Sequence, residues 1–388
     1  MSLSIEAMPL VDIDTHFTEP PDLWTSRAPS ALRDVAPRVV KKADGMPQWI
    51  VGRDMPLSPP GFCVVRADGS KIQGRFSLET FEEMTPAASE AGPRLRVMDE
   101  LGIRLQIVYP NILGFAGGAI MRVDDSALRN FCITAYNEGI AELQAEAKGR
   151  LLPQALVPFW DVKLAVKELA RCRDELKLSG FTMTDSPEAW GQPSLNDAYW
   201  DPLWATAQER GLPVNFHIGS GGLGGVVWDG MDLTRMLASL STILFMNNMR
   251  CLVNLIFSGL LDRFPTLNFV SVESGIGWIP FLLEACEYQM EENAVPLKLR
   301  PREYFARQIY ASFWFEREDV ARTIERLGAS NVMVETDFPH PTCLYPGPRK
   351  KLEDALAPLP VQAQRKIFYE NAARVYHLDL AVLDHAPR

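Results

Sequence analysis

Asp14 and His16 stand two positions apart at the end of the first apolar run, Pro9-Leu10-Val11-Asp12-Ile13-Asp14-Thr15-His16. In a strand, side chains at i and i+2 share a face, so both groups aim at one point. A carboxylate and an imidazole meeting there are donors that hold a divalent metal. The arrangement returns twice. Pro213-Val214-Asn215-Phe216-His217 ends an apolar run on a histidine, and Val332-Met333-Val334-Glu335-Thr336-Asp337 ends one on an aspartate. Each has a plainer reading alone. A D-x-H tripeptide is common by chance, His217 suits a core histidine bonded to backbone, and Asp337 suits a turn cap. Their recurrence at strand ends carries the metal reading, because a parallel barrel gathers such ends at one mouth.

The elements that must position them alternate. Strands are expected at Leu10–Asp14, Leu105–Tyr109, Leu152–Pro158, Gly180–Thr184, Val214–His217, Leu267–Glu273, Gln308–Ser312 and Val332–Asp337. Helical patterns fall between them at Arg94–Leu101, Asp125–Lys148, Val162–Lys177, Tyr199–Arg210, Leu233–Leu261, Ile279–Glu291 and Glu318–Leu327. Two more follow the last strand, Gln364–Tyr376 being the clearer. Strand–helix alternation of this kind predicts an α/β fold, a (β/α)8 TIM barrel spanning residues 1–388 as one domain. The alternative is an open doubly wound sheet, but no GxGxxG follows the first strand. The glycine-rich Gly219-Ser220-Gly221-Gly222-Leu223-Gly224-Gly225 follows the fifth strand instead, and reads as a flexible active-site loop. Residues Phe17 to Pro93 form a connection too long to be structureless. Trp49-Ile50-Val51 and Phe62-Cys63-Val64-Val65 predict a small β excursion, with 25–93 as a lid or dimer contact at the catalytic face.

The 388 residues carry 47% apolar side chains and a formal charge of −10, so a large core sits under an acidic surface. That surface argues against nucleic acid or an anionic membrane as partner and leaves a small-molecule substrate. Cys63, Cys132, Cys172, Cys251, Cys286 and Cys343 form no CxxC pair and read as buried thiols in a reducing cytoplasm. Met1 to Pro9 lacks the pattern of a signal peptide. The apolar Leu233–Leu261 segment is interrupted by Arg235, Asn247, Asn248 and Arg250, which marks a buried or interface helix rather than a membrane span. With the long excursion it is expected to support a homodimer.

Motifs along nearly the whole chain resemble the amidohydrolase superfamily, in the branch of aminocarboxymuconate-semialdehyde and resorcylate-type decarboxylases. The matching pieces are Asp12-Ile13-Asp14-Thr15-His16, Glu19-Pro20-Pro21-Asp22-Leu23-Trp24, Phe216-His217, Ser258-Gly259, Arg263-Phe264-Pro265, Glu273-Ser274-Gly275-Ile276-Gly277-Trp278, Thr336-Asp337-Phe338-Pro339-His340, Glu370-Asn371-Ala372-Ala373 and Val375-Tyr376. The resemblance implies one divalent ion, Zn, Mn or Fe, on Asp14, His16, His217 and Asp337. Two departures stand out. Related decarboxylases usually end strand six on a histidine, where this chain has Glu273. Dinuclear relatives bridge their metals with a lysine or glutamate on strand four, where this chain has Phe181-Thr182-Met183-Thr184-Asp185. Glu273 and His340 are therefore candidates for a second metal site. The plainer reading makes Glu273 a proton carrier or the acceptor for a metal-bound histidine, and His340 a neighbour of the site.

Metal chemistry at this mouth takes two forms. Bound water can be activated to attack an ester, thioester or amide carbonyl, with Asp337 taking its proton and Glu273 or His340 protonating the leaving group. Alternatively, the metal can chelate the carboxylate and hydroxyl of a hydroxy-aromatic or unsaturated acid that loses CO2. The missing strand-six histidine tilts the expectation toward hydrolysis. A third reading, from another class, is a metal-free barrel acting as a binding protein. Trp24, Trp160, Trp190, Trp228, Trp278 and Trp314 fall near predicted βα loops, where most are expected to pack loops and several to line a pocket. Arg53, Arg66 or Arg122 are candidates to reach a substrate carboxylate or phosphate.

Overall fold

The computed structural model describes residues 5–58, 60–221 and 228–384. Its central sheet has strands β1 (Val11–His16), β2 (Leu105–Tyr109), β3 (Leu151–Pro153), β4 (Phe181–Thr182), β5 (Val214–His217), β6 (Phe269–Val272), β7 (Ile309–Phe313) and β8 (Val332–Val334). All pair in parallel, in the order β3-β2-β1-β8-β7-β6-β5-β4. A parallel bridge from Ala155 to Phe181 joins the two ends. There the Ala155 N–H donates to Gly180 O and the Thr182 N–H to Ala155 O, both at 3.0 Å. The sheet therefore closes into a (β/α)8 barrel, and the open-sheet alternative fails. Every residue of the eight strands is buried, as expected for Val/Ile/Leu-rich strands covered on both faces.

Helix starts follow local chemistry. The carboxylates of Asp125, Asp161 and Asp232 accept first-turn N–H groups of the helices Ser126–Glu146, Val162–Asp174 and Leu233–Leu244. A helix over Pro301–Gln308 was not expected from the pattern. Its large apolar side chains are only Tyr304 and Phe305, but Pro301 at its first position and Glu303 in its first turn mark the start. The expected Leu233–Leu261 helix is three pieces, Leu233–Leu244, Asn248–Phe257 and Leu260–Arg263. Taken together across the turn that joins them, the first two make a 25-residue run, Leu233–Phe257, long and apolar enough by length and composition to cross a membrane. Leu237 and Leu240 of the first, and Cys251, Leu252, Leu255 and Ile256 of the second, are buried.

The excursion after β1 holds a three-stranded antiparallel sheet, Arg38–Lys41, Pro47–Val51 and Met55–Pro56. Phe62–Val65 is not a regular strand, contrary to expectation. Its backbone is spent on the loop after β8 and on bridges inside the excursion: the Val64 N–H donates to Pro339 O at 3.0 Å, and Val65 bridges Lys71. Cys63, Val64, Val65, Leu78 and Met84 form a small core of their own with Phe338 and Cys343. This second core seats the excursion over the C-terminal mouth.

Candidate metal centre

β1 does not run straight. Its register against β2 slips between Asp12, opposite Gln106, and Thr15, opposite Val108. The bulge locally re-aims Asp14. The backbone here is held from both sides. The Asp337 N–H donates to Asp14 O at 2.9 Å, and the His16 N–H to Phe338 O at 2.8 Å. Buried Arg94 clamps this segment, its Nη2 donating to His16 O at 2.6 Å and Phe338 O at 3.4 Å and its Nε to the Gln106 side-chain Oε1 at 2.8 Å. Gln106 in turn donates to Asp12 Oδ2, and Asp12 accepts both the N–H and the hydroxyl of Thr336. Burial lifts the Asp12 carboxyl to about 7 and lowers the Arg94 guanidinium to about 10.

The six residues singled out in the sequence converge. His16 Nε2 lies 3.1 Å from His217 Nε2, 3.6 Å from Asp14 Oδ1 and 3.5 Å from Asp337 Oδ1. His217 Nε2 lies 3.5 Å from Asp14 Oδ1 and 3.4 Å from Glu273 Oε2. His340 Nδ1 is 3.4 Å from Asp337 Oδ1, and its ring stacks on that of His16 with centroids 3.4 Å apart. Ligand atoms around one ion at about 2.1 Å sit about 3.0–3.4 Å from each other, so these spacings suit a shared cation. His217 Nδ1 lies 2.8 Å from the carbonyl of its neighbour Ile218. Donation there leaves the Nε2 lone pair free toward the cluster.

Glu273 and Asp337 adopt left-handed backbone conformations, φ 55° and 58°. The strands end earlier than the apolar runs predicted, at Val272 and Val334, and the carboxylates stand just beyond them. Such residues cost about 1–2 kcal/mol each and gather at functional sites. Both oxygens of Asp14 and Oδ1 of Asp337 are buried without a hydrogen-bond partner among the described residues. Desolvation pushes the carboxyls of Asp14, Glu273, Glu335 and Asp337 well up. The charge of Asp12 adds to this at Asp14, that of Asp337 at Glu273, and that of Asp14 at Glu335 and Asp337. Desolvation likewise drives His16 and His340 well down, and His217 to about 4. Orphaned carboxylate oxygens beside neutral imidazoles fit a divalent cation, which satisfies both.

Three participants were not singled out beforehand. Glu335 is fully buried, and its Oε2 accepts the Ser312 hydroxyl and, at 3.2 Å, the Glu273 N–H. The Thr342 hydroxyl sits between Asp337 Oδ2 and Glu273 Oε1. Asn111 Oδ1 lies 2.8 Å from His340 Nε2. Asn111 follows the β2 end, so the strand-end rule that picked His217 also reaches it.

Glu273, His340 and Thr342 open onto a cavity of about 340 Å³ whose walls include Phe62, Phe76, Phe115 and Phe245. None of the six tryptophans lines it, nor does Arg53, Arg66 or Arg122. Trp24 packs edge-on to Trp49, and the Arg122 guanidinium donates to Pro56 O. Gly219 reaches the cavity wall, while residues 222–225 of the glycine-rich segment lie outside the described residues. A larger cavity of about 580 Å³ between the loop after β1 and the helix Ser126–Glu146 touches none of the metal candidates.

A closed parallel barrel with mixed histidine and carboxylate donors at its C-terminal mouth defines a metal-binding barrel enzyme. The chain belongs to the amidohydrolase family, whose profile matches residues 11–378. Among curated proteins it is similar to a gamma-resorcylate decarboxylase from Polaromonas sp., 26% identical over 271 residues, which cover 63% of this chain and 76% of the relative. Among solved structures it resembles an amidohydrolase from Mycobacterium avium subsp. paratuberculosis, with TM-score 0.73 and 20% identity over 95% of this chain and 99% of that one. It also resembles a manganese-bound 5-carboxyvanillate decarboxylase from Novosphingobium aromaticivorans, with TM-score 0.66 and 16% identity over 96% and 98% of the two chains. These relatives correct the expectation of hydrolysis, since the curated matches are decarboxylases. His340, from the loop after β8, stacks an imidazole on His16 at the site, so the absence of a strand-six histidine does not leave the centre without a further imidazole.

Proposed function

We propose that this chain is a metal-dependent non-oxidative decarboxylase of a hydroxy-aromatic or unsaturated carboxylic acid. One observation carries the reading: an aromatic-walled cavity opens directly on the carboxylate–histidine cluster, with a single carboxyl, Glu273, in its described wall. Asp14, His16, His217 and Asp337 would hold one Mn, Zn or Fe ion. When bound, the ion supplies a Lewis acid for the substrate carboxylate and its neighbouring hydroxyl. The protein's own groups do the rest. The phenylalanines hold the ring and exclude water. Thr342 has one hydroxyl hydrogen for two carboxyl oxygens. If it donates to Asp337 Oδ2, Glu273 must carry a proton to satisfy Oε1. Glu273 lines the cavity, so the carboxyl stands beside the space the ring would fill. The bond from ring to carboxylate breaks, its electron pair stays on the ring carbon and takes the Glu273 proton, and CO2 leaves.

The test is CO2 release by manganese-loaded protein from 2,6-dihydroxybenzoate and related hydroxybenzoates, beside hydrolysis of aryl esters and acyl thioesters. CO2 release that disappears on chelation supports the reading. Ester or thioester turnover without CO2 sinks it. Glu273→Gln should keep one equivalent of metal and lose CO2 release; a fall from two equivalents to one would instead make Glu273 a ligand.

The same proposal extends to the setting. Residues 25–93 act as a lid, because Phe62 and Phe76 reach the cavity wall from the excursion. The six cysteines are free and buried, which suits a reducing cytoplasm. A second copy of the chain covers the apolar Met231, Leu233 and Met246, which stand exposed around the helix pair after β5. A monomer by light scattering at micromolar concentration would refute the dimer.

A further inference from the structure

The cavity at the metal centre has an outer neighbour. A groove of about 630 Å³ lies between the excursion and the helix Leu233–Leu244. Phe76 walls both spaces and keeps 38% of its surface exposed. The helix supplies a second link. Leu240 and Leu244 line the inner cavity, and Leu233 and Leu237 line the groove. These positions are spaced i, i+4, i+7 and i+11, which on a helix is one face. A single leucine stripe therefore runs from the ring cavity to the surface. Leu233 ends it, on the edge of the face given to the second copy. The excursion lies close over the start of this helix: a Cβ added at Gly74 would stand 3.4 Å from Thr234 Cγ2. The polar groups beside the groove are matched among themselves. Lys42 Nζ lies 3.0 Å from Asp44 Oδ2, Arg75 Nη1 lies 2.9 Å from Glu79 Oε1, and Gln48 Nε2 donates to Ser58 O at 2.7 Å. Neither cation of this wall stands without a carboxylate, so a guest meets mainly apolar surface, from the leucines, Phe76 and Met46.

We infer that the groove is a subsite for an apolar arm on the substrate, which is then a hydroxyaryl carboxylate carrying a neutral hydrocarbon substituent of several carbons. This rests on the decarboxylase reading and names its substrate class. The inner cavity of about 340 Å³ holds the ring, and the arm passes Phe76 and lies along the leucine stripe. Passage requires only that the Phe76 ring turn, and a partly exposed side chain changes rotamer within nanoseconds. The two spaces together reach the upper end of the range for small-molecule sites, more than one ring fills.

Equilibrium binding to manganese-loaded protein, by calorimetry, tests this with 2-hydroxybenzoate and its alkyl derivatives, methyl to pentyl, at each free ring position. In the series for at least one position, affinity should rise about three- to fourfold per methylene. Leu237→Trp fills the groove and Met46→Glu sets a charge in it, and neither residue lines the inner cavity. Both variants should keep their metal and bind 2-hydroxybenzoate within about twofold of the unaltered chain, while most of the gain per methylene is lost. If no series rises although 2-hydroxybenzoate binds, the apolar arm is overturned and the decarboxylase reading stands. An unchanged gain per methylene in either variant that keeps its metal overturns the groove as the place of the arm. If neither the parent acid nor any derivative binds the metal-loaded protein, the inference and the aryl-acid reading fall together.

Discussion

Two layers of the barrel interior sit two residues apart on β5, and both are polar and fully buried. At the lower layer, Asn215 is saturated. Its Nδ2 donates to Gln154 Oε1 at 2.8 Å and Phe181 O at 2.9 Å, and its Oδ1 accepts the hydroxyls of Tyr109 at 3.1 Å and Tyr376 at 2.7 Å. At the upper layer, His217 faces Asp14, neither of whose carboxylate oxygens has a hydrogen-bond partner among the described residues. The contrast separates polar groups that hold a fold from polar groups kept for a guest. A satisfied network fixes one packing. An unsatisfied one stores a demand that an ion meets.

The contrast is broken most severely at His217. His217→Ala should abolish stoichiometric metal, measured by inductively coupled plasma mass spectrometry. The loss should exceed the 10–100-fold typical of groups that merely orient a ligand. Retention of a full equivalent would sink the assignment of the centre. The lower layer should respond in the opposite way. Asn215→Leu removes the acceptor shared by the Tyr109 and Tyr376 hydroxyls and the donor to Gln154 Oε1, and should lower unfolding free energy by about 3 kcal/mol in a denaturant titration, while one equivalent of metal stays bound. Thr342→Val tests the border of the upper layer. It should weaken metal binding about tenfold by competition with a chelator and leave the melting temperature of the metal-free protein nearly unchanged.

The smallest effect concerns pH. Burial raises Glu19 to about 7 against an ordinary value of 4.5, even though the N–H groups of Asn111 and Ile112 donate to it. Its folded pKa is the higher one, so its contribution to stability is complete below about 4.5 and lost as pH rises toward about 7. Thermal melts of the metal-free protein should flatten over this window in Glu19→Gln, by on the order of 1–2 kcal/mol relative to the unaltered chain. An identical pH slope in both proteins would remove the group from consideration.

All eight strands and the meeting of Asp14, His16, His217 and Asp337 were legible, because buried β-branched runs and strand-end donors are local signals, while Glu273 and His340 were picked out only through the family resemblance. What escaped is non-local or conformational. The left-handed residues Glu273 and Asp337 shorten β6 and β8 in a way that hydrophobic runs do not encode. Glu335 takes its role from Ser312 on β7 and the backbone of Glu273, contacts no linear pattern announces. Most of the tryptophans near βα loops were expected to pack loops and several to line the pocket, but phenylalanines from the excursion, the loop after β2 and the helix pair after β5 took that place. The break in Leu233–Leu261 follows the Asn247-Asn248 pair, yet only the packing shows which side of it is buried.

The pairing of β1 with β8 has a consequence for the chain at the ribosome. Asp12 and Thr336, which hydrogen-bond across that seam, are 324 positions apart. At about 5–20 residues per second, β1 waits roughly 16 to 65 s for its final neighbour after being made. Until then no metal centre exists. Asp14 and His16 are synthesised well before Asp337, the candidate ligand that stands just beyond β8. A chain released before β8 lacks Asp337 and carries a bare apolar strand edge, a substrate for chaperones.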